Sequence, residues 1–243
     1  MSVDRRARGA AAGVLVTIAL VISACGGSSG TSQSASTPAS TRPGAIGAAE
    51  ITGPVRGAVL VAALREGGLL LWIRHTERDD RSGTVTPQQA ASHDCAAQSL
   101  LSATGRQHAA QIGVAMRALD LPIWVVRTAR LCRTEATGRL LTIAPVSDDD
   151  RLDAASTWVN RGGAAAEQQA TLQVLAEAPP AGKDVVLISS VLDIPHPQPA
   201  VLGELGPGET AVFRSGPAGR TTLLARIGES AWPTLLPAAP TPR

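Results

Sequence analysis

Leu69-Leu70-Leu71-Trp72-Ile73-Arg74-His75-Thr76-Glu77-Arg78 is the stretch whose reading decides the fold. Five bulky apolar residues follow the pair Gly67-Gly68 and give way abruptly to charged and polar ones. A short apolar run bounded by glycine and charge predicts a buried strand whose C-terminal end opens into a polar loop. Open α/β sheets bind ligands at that end of their strands. A guanidinium beside an imidazole there points to an anion site holding a nucleophile or proton carrier. An ordinary charged loop after a strand is the alternative.

Working outward, Arg56–Glu66 is rich in Ala and Leu and ends at Gly67-Gly68, which predicts a helix closed by glycine. Thr76–Gln98, with Gly83, Pro87 and no sustained period, reads as a long loop beside a strand end. Ser102 caps a predicted helix in which Ala109, Ile112, Met116 and Leu119 share a face, with His108 one position off it. Ile123–Val126 is a second strand, and Arg127, Thr128 and Arg130 lead to a helix carrying Leu131, Cys132, Arg133 and Thr134. Asp148, Asp149 and Asp150 read as a solvated loop, with one carboxylate available as a proton donor. Gly163–Glu177 is another helix, Asp184–Ser190 a third buried strand, and Pro195–Pro199 a loop containing His196. Thr210–Arg214 and Thr221–Ile227 form a closing hairpin around Gly216-Pro217. Alternating strands and helices predict an α/β domain with a parallel sheet and right-handed crossovers.

With 243 residues, 44% hydrophobic and 17% charged, the chain suits one globular domain with attached segments. Aromatic residues make up 2%, with no Tyr, so the core must be aliphatic and base-stacking platforms for nucleic acid are not expected. The formal charge of +2 is matched by Arg5, Arg6 and Arg8 against Asp4, all in the amino-terminal segment. Without that segment the chain is near neutral, and nothing in its charge suggests a polyanion partner held by a basic face.

Arg5, Arg6 and Arg8 precede the apolar run Ala10–Ile22, a pattern that predicts a signal peptide over residues 1–24. Ile22-Ser23-Ala24-Cys25 resembles the lipobox of bacterial lipoproteins, which implies acylation of Cys25 and anchoring to the outer face of the cell membrane. A plain signal peptide with an incidental Cys is the alternative, and Arg5-Arg6 admits export by the twin-Arg route. Residues 25–50, rich in Gly, Ser, Thr and Pro, read as a flexible tether whose first nineteen residues after Cys25 reach about 25 Å. The domain then spans residues 51–232 and a Pro-rich tail residues 233–243. With Cys25 lipidated, Cys95 and Cys132 remain, and in an oxidising compartment a disulfide is the natural pairing. The competing reading is a metal site from His93, Asp94, Cys95 and Cys132, against which stands the lack of CxxC or HxxxH spacing.

Arg74-His75-Thr76-Glu77, Asp94-Cys95 with Gln98, Leu101-Ser102-x-x-Gly105-Arg106-x-x-Ala109 and Cys132-Arg133-Thr134 with Thr137 occur in that order. Together they resemble the histidine phosphatase superfamily, the phosphoglycerate mutase-like proteins, over about residues 55–232. The paired cysteines belong to the resemblance, since similar exported members carry them. It implies a three-layer α/β/α sandwich around a mainly parallel sheet, no cofactor and no metal. It also implies phosphomonoester hydrolysis through a phosphohistidine on His75, with Arg74 and Arg133 binding phosphate. Arg suits that role because its planar fork donates two bonds to phosphate oxygens.

The departures weigh equally. Ser189-Ser190 stands where the family has a pair ending in its second catalytic His, so Ser190 takes the imidazole's place as a phosphate ligand without charge. Losing that charge costs on the order of 2–4 kcal/mol of transition-state stabilisation, by analogy with one oxyanion donor. His196, six residues on, is a candidate substitute. Arg127 is a candidate for restoring charge, and Glu77 for supporting the loop. The expectation is an exported phosphatase with weakened chemistry, its partners a membrane through the lipid anchor and a small phosphorylated ligand, not nucleic acid. The alternative is an inactive pseudophosphatase that binds anions in the envelope.

Overall fold

Seven strands make one mixed sheet in the computed structural model, which describes residues 46–79, 94–192, 197–216 and 220–237. They are β1 (Ile51–Thr52), β2 (Leu69–Arg74), β3 (Ile123–Thr128), β4 (Val146–Asp148), β5 (Asp184–Ser189), β6 (Thr210–Ser215) and β7 (Thr221–Ile227). Their spatial order is β1-β7-β6-β2-β5-β3-β4. The signal peptide, Cys25, most of the tether, His93, His196 and the last six residues of the tail lie outside the described residues.

The helices are α1 (Gly57–Glu66), α2 (Ala103–Ala118), α3 (Cys132–Leu141), α4 (Ala155–Trp158) and α5 (Gly163–Ala176). β2 pairs in parallel with β5, β5 with β3 and β3 with β4, while β2–β6, β6–β7 and β7–β1 are antiparallel. Five of the seven strands therefore run the same way. This is the expected α/β sandwich, and its parallel half carries the loops with chemistry.

β2 explains the architecture. Side chains alternate across a strand, so Leu69, Leu71 and Ile73 pack on one face with α1, α2 and the Trp232 segment, while Leu70 and Trp72 pack on the other with Val174 and Leu175 of α5. All five are at most 2% exposed, and each contributes about 1.5–3 kcal/mol relative to exposure. A strand covered on both faces reads as a continuous apolar run rather than an alternating one.

α2 begins where expected, the Ser102 hydroxyl accepting from Gly105 N (2.9 Å), and buries Ala109, Ile112 and Met116, with Leu119 just beyond it. A Cβ at Gly105 would come within 2.0 Å of the Glu77 carbonyl, so the helix is drawn tight against the loop after β2.

Several elements differ from expectation, among them β1, which pairs with β7 ahead of α1, and the short helix α4. The acidic run is not wholly a loop, because Val146–Asp148 adds β4 beside β3. Three residues with one apolar side chain carry too little pattern to signal a strand. The second strand also extends through Arg127 and Thr128, which pair with Leu187 and Ile188. Among the described residues no helix is long and apolar enough to cross a membrane.

Candidate anion-binding site

The loops that follow β2, β3 and β5 leave the sheet at one edge, and the charged residues of the opening stretch meet Arg133 there. His75 follows directly on β2, its backbone N donating to the Ser189 carbonyl (3.0 Å) as the ladder with β5 ends. The ring is 2% exposed, and its Nδ1 lies 2.8 Å from the Thr76 carbonyl oxygen. A carbonyl only accepts, so Nδ1 carries the proton. Burial pushes the imidazole pKa down to about 3, the charge of Arg133 adds to this, and Arg74 and Arg78 add further, against the hydrogen bond to Thr76. His75 is therefore neutral at ordinary pH, with the lone pair on Nε2.

Three guanidinium groups act on it. Arg74 ends β2 and donates from Nη1 to the Leu205 carbonyl (2.8 Å), while its Nε is buried with no hydrogen-bond partner among the described residues. Burial and the charge of Arg78 lower its pKa, and Glu209 opposes them. Arg133 is 6% exposed, its Nε and Nη1 are buried without partners among the described residues, and burial together with Arg78 and Arg74 brings its pKa to about 10. Cationic donors rarely stay buried and unpaired, because each forfeits its hydration.

Local chemistry fixes Arg133. The Gln98 side-chain oxygen accepts from Cys132 N (3.0 Å) at the first turn of α3, and Cys132 is disulfide-bonded to Cys95 with Cα atoms 5.7 Å apart. Thr134 accepts from Leu131 N (3.3 Å) and donates to the Ala129 carbonyl (2.7 Å). Thr137 donates to the Arg133 carbonyl (2.8 Å) and accepts from Thr76 N (3.4 Å), tying the helix to the loop that carries His75. The sulfurs being joined removes Cys95 and Cys132 as metal ligands. Among the described residues no group of three or more His, Cys, Asp or Glu could hold a metal ion.

The structure thus brings together Arg74, His75 and Arg133. Ser190 follows Ser189, the register partner of Arg74, and so lies beside His75 at the end of the ladder. Ser189 is not available to a ligand: its hydroxyl accepts from Trp72 Nε1 (2.7 Å) and donates to the Ser190 carbonyl (2.7 Å). Glu77 is exposed and bonded through Oε1 to the Ser102 hydroxyl (2.6 Å), bracing the loop from outside.

Arg127 does not restore charge to the pocket. Its Nη1 lies 2.5 Å from Glu177 and 3.8 Å from Asp149, beside Trp124 on the α5 side of the sheet. Its neighbour in the ladder is Leu187, which belongs to that apolar face, so strand alternation turns it away. Asp149 is likewise not a proton donor here: burial raises its pKa, but hydrogen bonds from Arg151 and the charge of Arg127 outweigh it and hold the carboxyl below its usual range. Asp150 pairs with Arg161 (3.0 Å). His108, one step off the buried face of α2, pairs with Glu229 (2.6 Å).

Arg78, exposed, is a charge acting on the site that sequence reasoning did not single out. It sits three residues after His75, and that spacing in a loop carries no period from which to infer convergence.

No protein-family model matches the chain, and no curated protein does. Solved structures do. The protein histidine phosphatase SixA complexed with tungstate is 14% identical, with a TM-score of 0.45, over 66% of this chain and 97% of that one. The α-ribazole phosphatase from Shigella flexneri is 16% identical with a TM-score of 0.44, over 67% and 97%. A mycobacterial glucosyl-3-phosphoglycerate phosphatase in complex with VO3 is 15% identical with a TM-score of 0.44, over 65% and 97%. At such identities and scores the chemistry of this site stands on its own geometry.

Proposed function

We propose that this chain is a membrane-tethered phosphohydrolase of the histidine phosphatase type, in which His75 is the nucleophile and Arg74, Arg78 and Arg133 cradle the phosphoryl group. The observation that carries the reading is the set of buried guanidinium donors, Arg74 Nε and Arg133 Nε and Nη1, that have no partner among the described residues, near an imidazole whose Nδ1 holds the proton. A tetrahedral oxyanion satisfies those donors and leaves Nε2 in line with the phosphorus.

The Nε2 lone pair attacks phosphorus, the bond to the leaving oxygen breaks, and the leaving group departs with its electron pair. Water then attacks the phosphohistidine, the P–N bond breaks, its pair returns to Nε2, and orthophosphate and a proton are released. The arginines act by holding the three peripheral oxygens, whose charge must be stabilised as the bonds change. Ser190 supplies at most a neutral hydrogen bond where a second imidazolium would add charge, so turnover is slow. An aryl phosphate, whose leaving oxygen needs no protonation, is the suitable first substrate.

The full chain is expected to hydrolyse p-nitrophenyl phosphate at a rate that falls to background in His75→Ala. Acid-labile phosphate trapped on the wild type and absent from that variant would establish the intermediate. Turnover equal to that of His75→Ala would end the enzymatic reading. Ser190 in the imidazole's place then favours the second reading, an anion-binding pseudophosphatase, for which phosphate-dependent thermal stabilisation is the test.

The tether belongs to the proposal as well. Acylation of Cys25 would hold the domain at the outer face of the cell membrane, and Cys25→Ser is expected to move the protein from the membrane to the soluble fraction. Unchanged fractionation would remove the lipid anchor.

A further inference from the structure

Arg74 is held by a turn that no motif pointed to, Glu204-Leu205-Gly206-Pro207-Gly208-Glu209, which leads into β6. Arg74 N donates to the Glu209 carbonyl (3.1 Å), and Gly208 N donates to the carbonyls of Arg74 (3.1 Å) and His75 (3.2 Å). The Leu205 carbonyl takes one arm of the Arg74 guanidinium. Gly208 has φ +67°, and a Cβ there would come within 2.3 Å of the Glu229 side chain, so this point of the turn requires glycine.

The Glu209 carboxylate closes this turn from inside. It is 2% exposed, its Oε2 accepts from Gly206 N (2.9 Å), and its Oε1 accepts from Arg226 Nε (2.5 Å). Arg226 also reaches Glu204 (3.1 Å), so both ends of the turn are tied to one guanidinium. A buried negative charge that acts on Arg74 is, electrostatically, the wrong sign for an anion pocket. Its place is explained by geometry: by holding Gly206 N the carboxylate orients the Leu205 carbonyl, which fixes one arm of Arg74 while Nε is without a partner among the described residues.

We infer that Glu209 is a positioning residue for Arg74, setting the affinity of the pocket for phosphate through the turn at residues 204–209. This rests on the anion-site reading above. The three roles open to Glu209 differ in sign. A purely electrostatic role predicts tighter phosphate binding when the charge is removed. A merely structural role predicts a lower melting temperature with unchanged affinity. Positioning predicts weaker binding.

The measurement is the dissociation constant of inorganic phosphate on the purified full chain, by calorimetric titration. Glu209→Ala is expected to weaken binding about tenfold. Glu209→Gln, which can still accept from Gly206 N but turns an amide toward Arg226, is expected to weaken it about threefold. In an Arg74→Lys background, where the planar fork is gone but the charge remains, the same Glu209 changes should cost less than about twofold. Unchanged or tighter binding in Glu209→Ala overturns the inference, as does equal weakening in both backgrounds. Should the Ala variant fail to fold, the Gln variant decides by the same criteria. A wild type that does not bind phosphate removes the anion site itself, a failure read before any Glu209 variant is made.

Discussion

Two groups of arginines stand near the C-terminal ends of the same parallel strands, and they are built in opposite ways. Near β3, Arg127, Arg130, Arg151 and Arg161 face Asp149, Asp150, Asp153 and Glu177, four cations against four carboxylates. Arg130 grips Asp153 through both Nε and Nη2, and Arg161 lies 4.1 Å over the Trp158 ring. At β2, Arg74 and Arg133, with the exposed Arg78 adding its charge, act on a neutral imidazole, and three buried donors of Arg74 and Arg133 have no partner among the described residues. The first group is neutralised within itself and ties the end of β3 and the segment after β4 to residues that flank α4 and α5. The second keeps buried donors unpaired among the described residues, which suits it to the anion proposed above. Arginine count alone cannot separate them, and partner count can.

The largest expected effect probes the incomplete group. Arg133→Ala should weaken phosphate binding by more than about a hundredfold, since it removes a buried charge-assisted fork, and should cost little folding stability in the absence of phosphate. Calorimetric titration checks the first part, and equal affinity would place the ligand elsewhere. Next, Asp153→Ala should destabilise the fold by about 3 kcal/mol, because Arg130 and Arg161 lose a partner that is 2% exposed. Urea unfolding measures it, and phosphate affinity should not move.

Two buried groups give opposite pH dependences. The pKa of His75 is lowered from 6.5 to about 3, so its contribution to stability is full above 6.5 and is lost as pH falls toward 3. Asp184 is buried, its Oδ1 accepting from Leu69 N (2.9 Å), and burial, against that hydrogen bond, raises its pKa from 3.8 to about 7. Its contribution is full below 3.8 and is lost as pH rises toward 7. Relative to wild type, Asp184→Asn should gain stability between pH 4 and 8, and His75→Asn should gain it as pH falls from 7 to 4. Unfolding free energies across that range test both, and parallel profiles would refute them. The smallest effect is Arg127→Ala, under about 1 kcal/mol because both it and Glu177 are partly solvated, with phosphate affinity unchanged. A loss of phosphate affinity there would merge the two groups.

Much of this was legible residue by residue. β2 and β5 were readable because strands covered on both faces must be apolar throughout, and α2 because Ser102 and the spacing of Ala109, Ile112 and Met116 agree on one helix. His75, Arg74 and Arg133 could be named from the motif order. β4 was missed because three mostly polar residues carry no pattern. Arg127 was misplaced because a residue at a strand end points to one face or the other according to pairing, and Leu187 settles which. Glu209 had no signal, since a buried acid between Gly208 and Thr210 looks like any turn residue until Arg226 and Gly206 are seen around it.

The amino-acid order by itself determined the alternation of apolar runs and capped helices, and hence which side chains could be buried and which segments had to pair into a sheet. Those are local consequences of period and propensity. Whether a guanidinium meets a carboxylate or is left for a ligand is decided by residues tens or hundreds of positions apart. Arg74 against Leu205 and Arg127 against Glu177 acquire their roles only when the sheet closes and brings them within hydrogen-bonding distance.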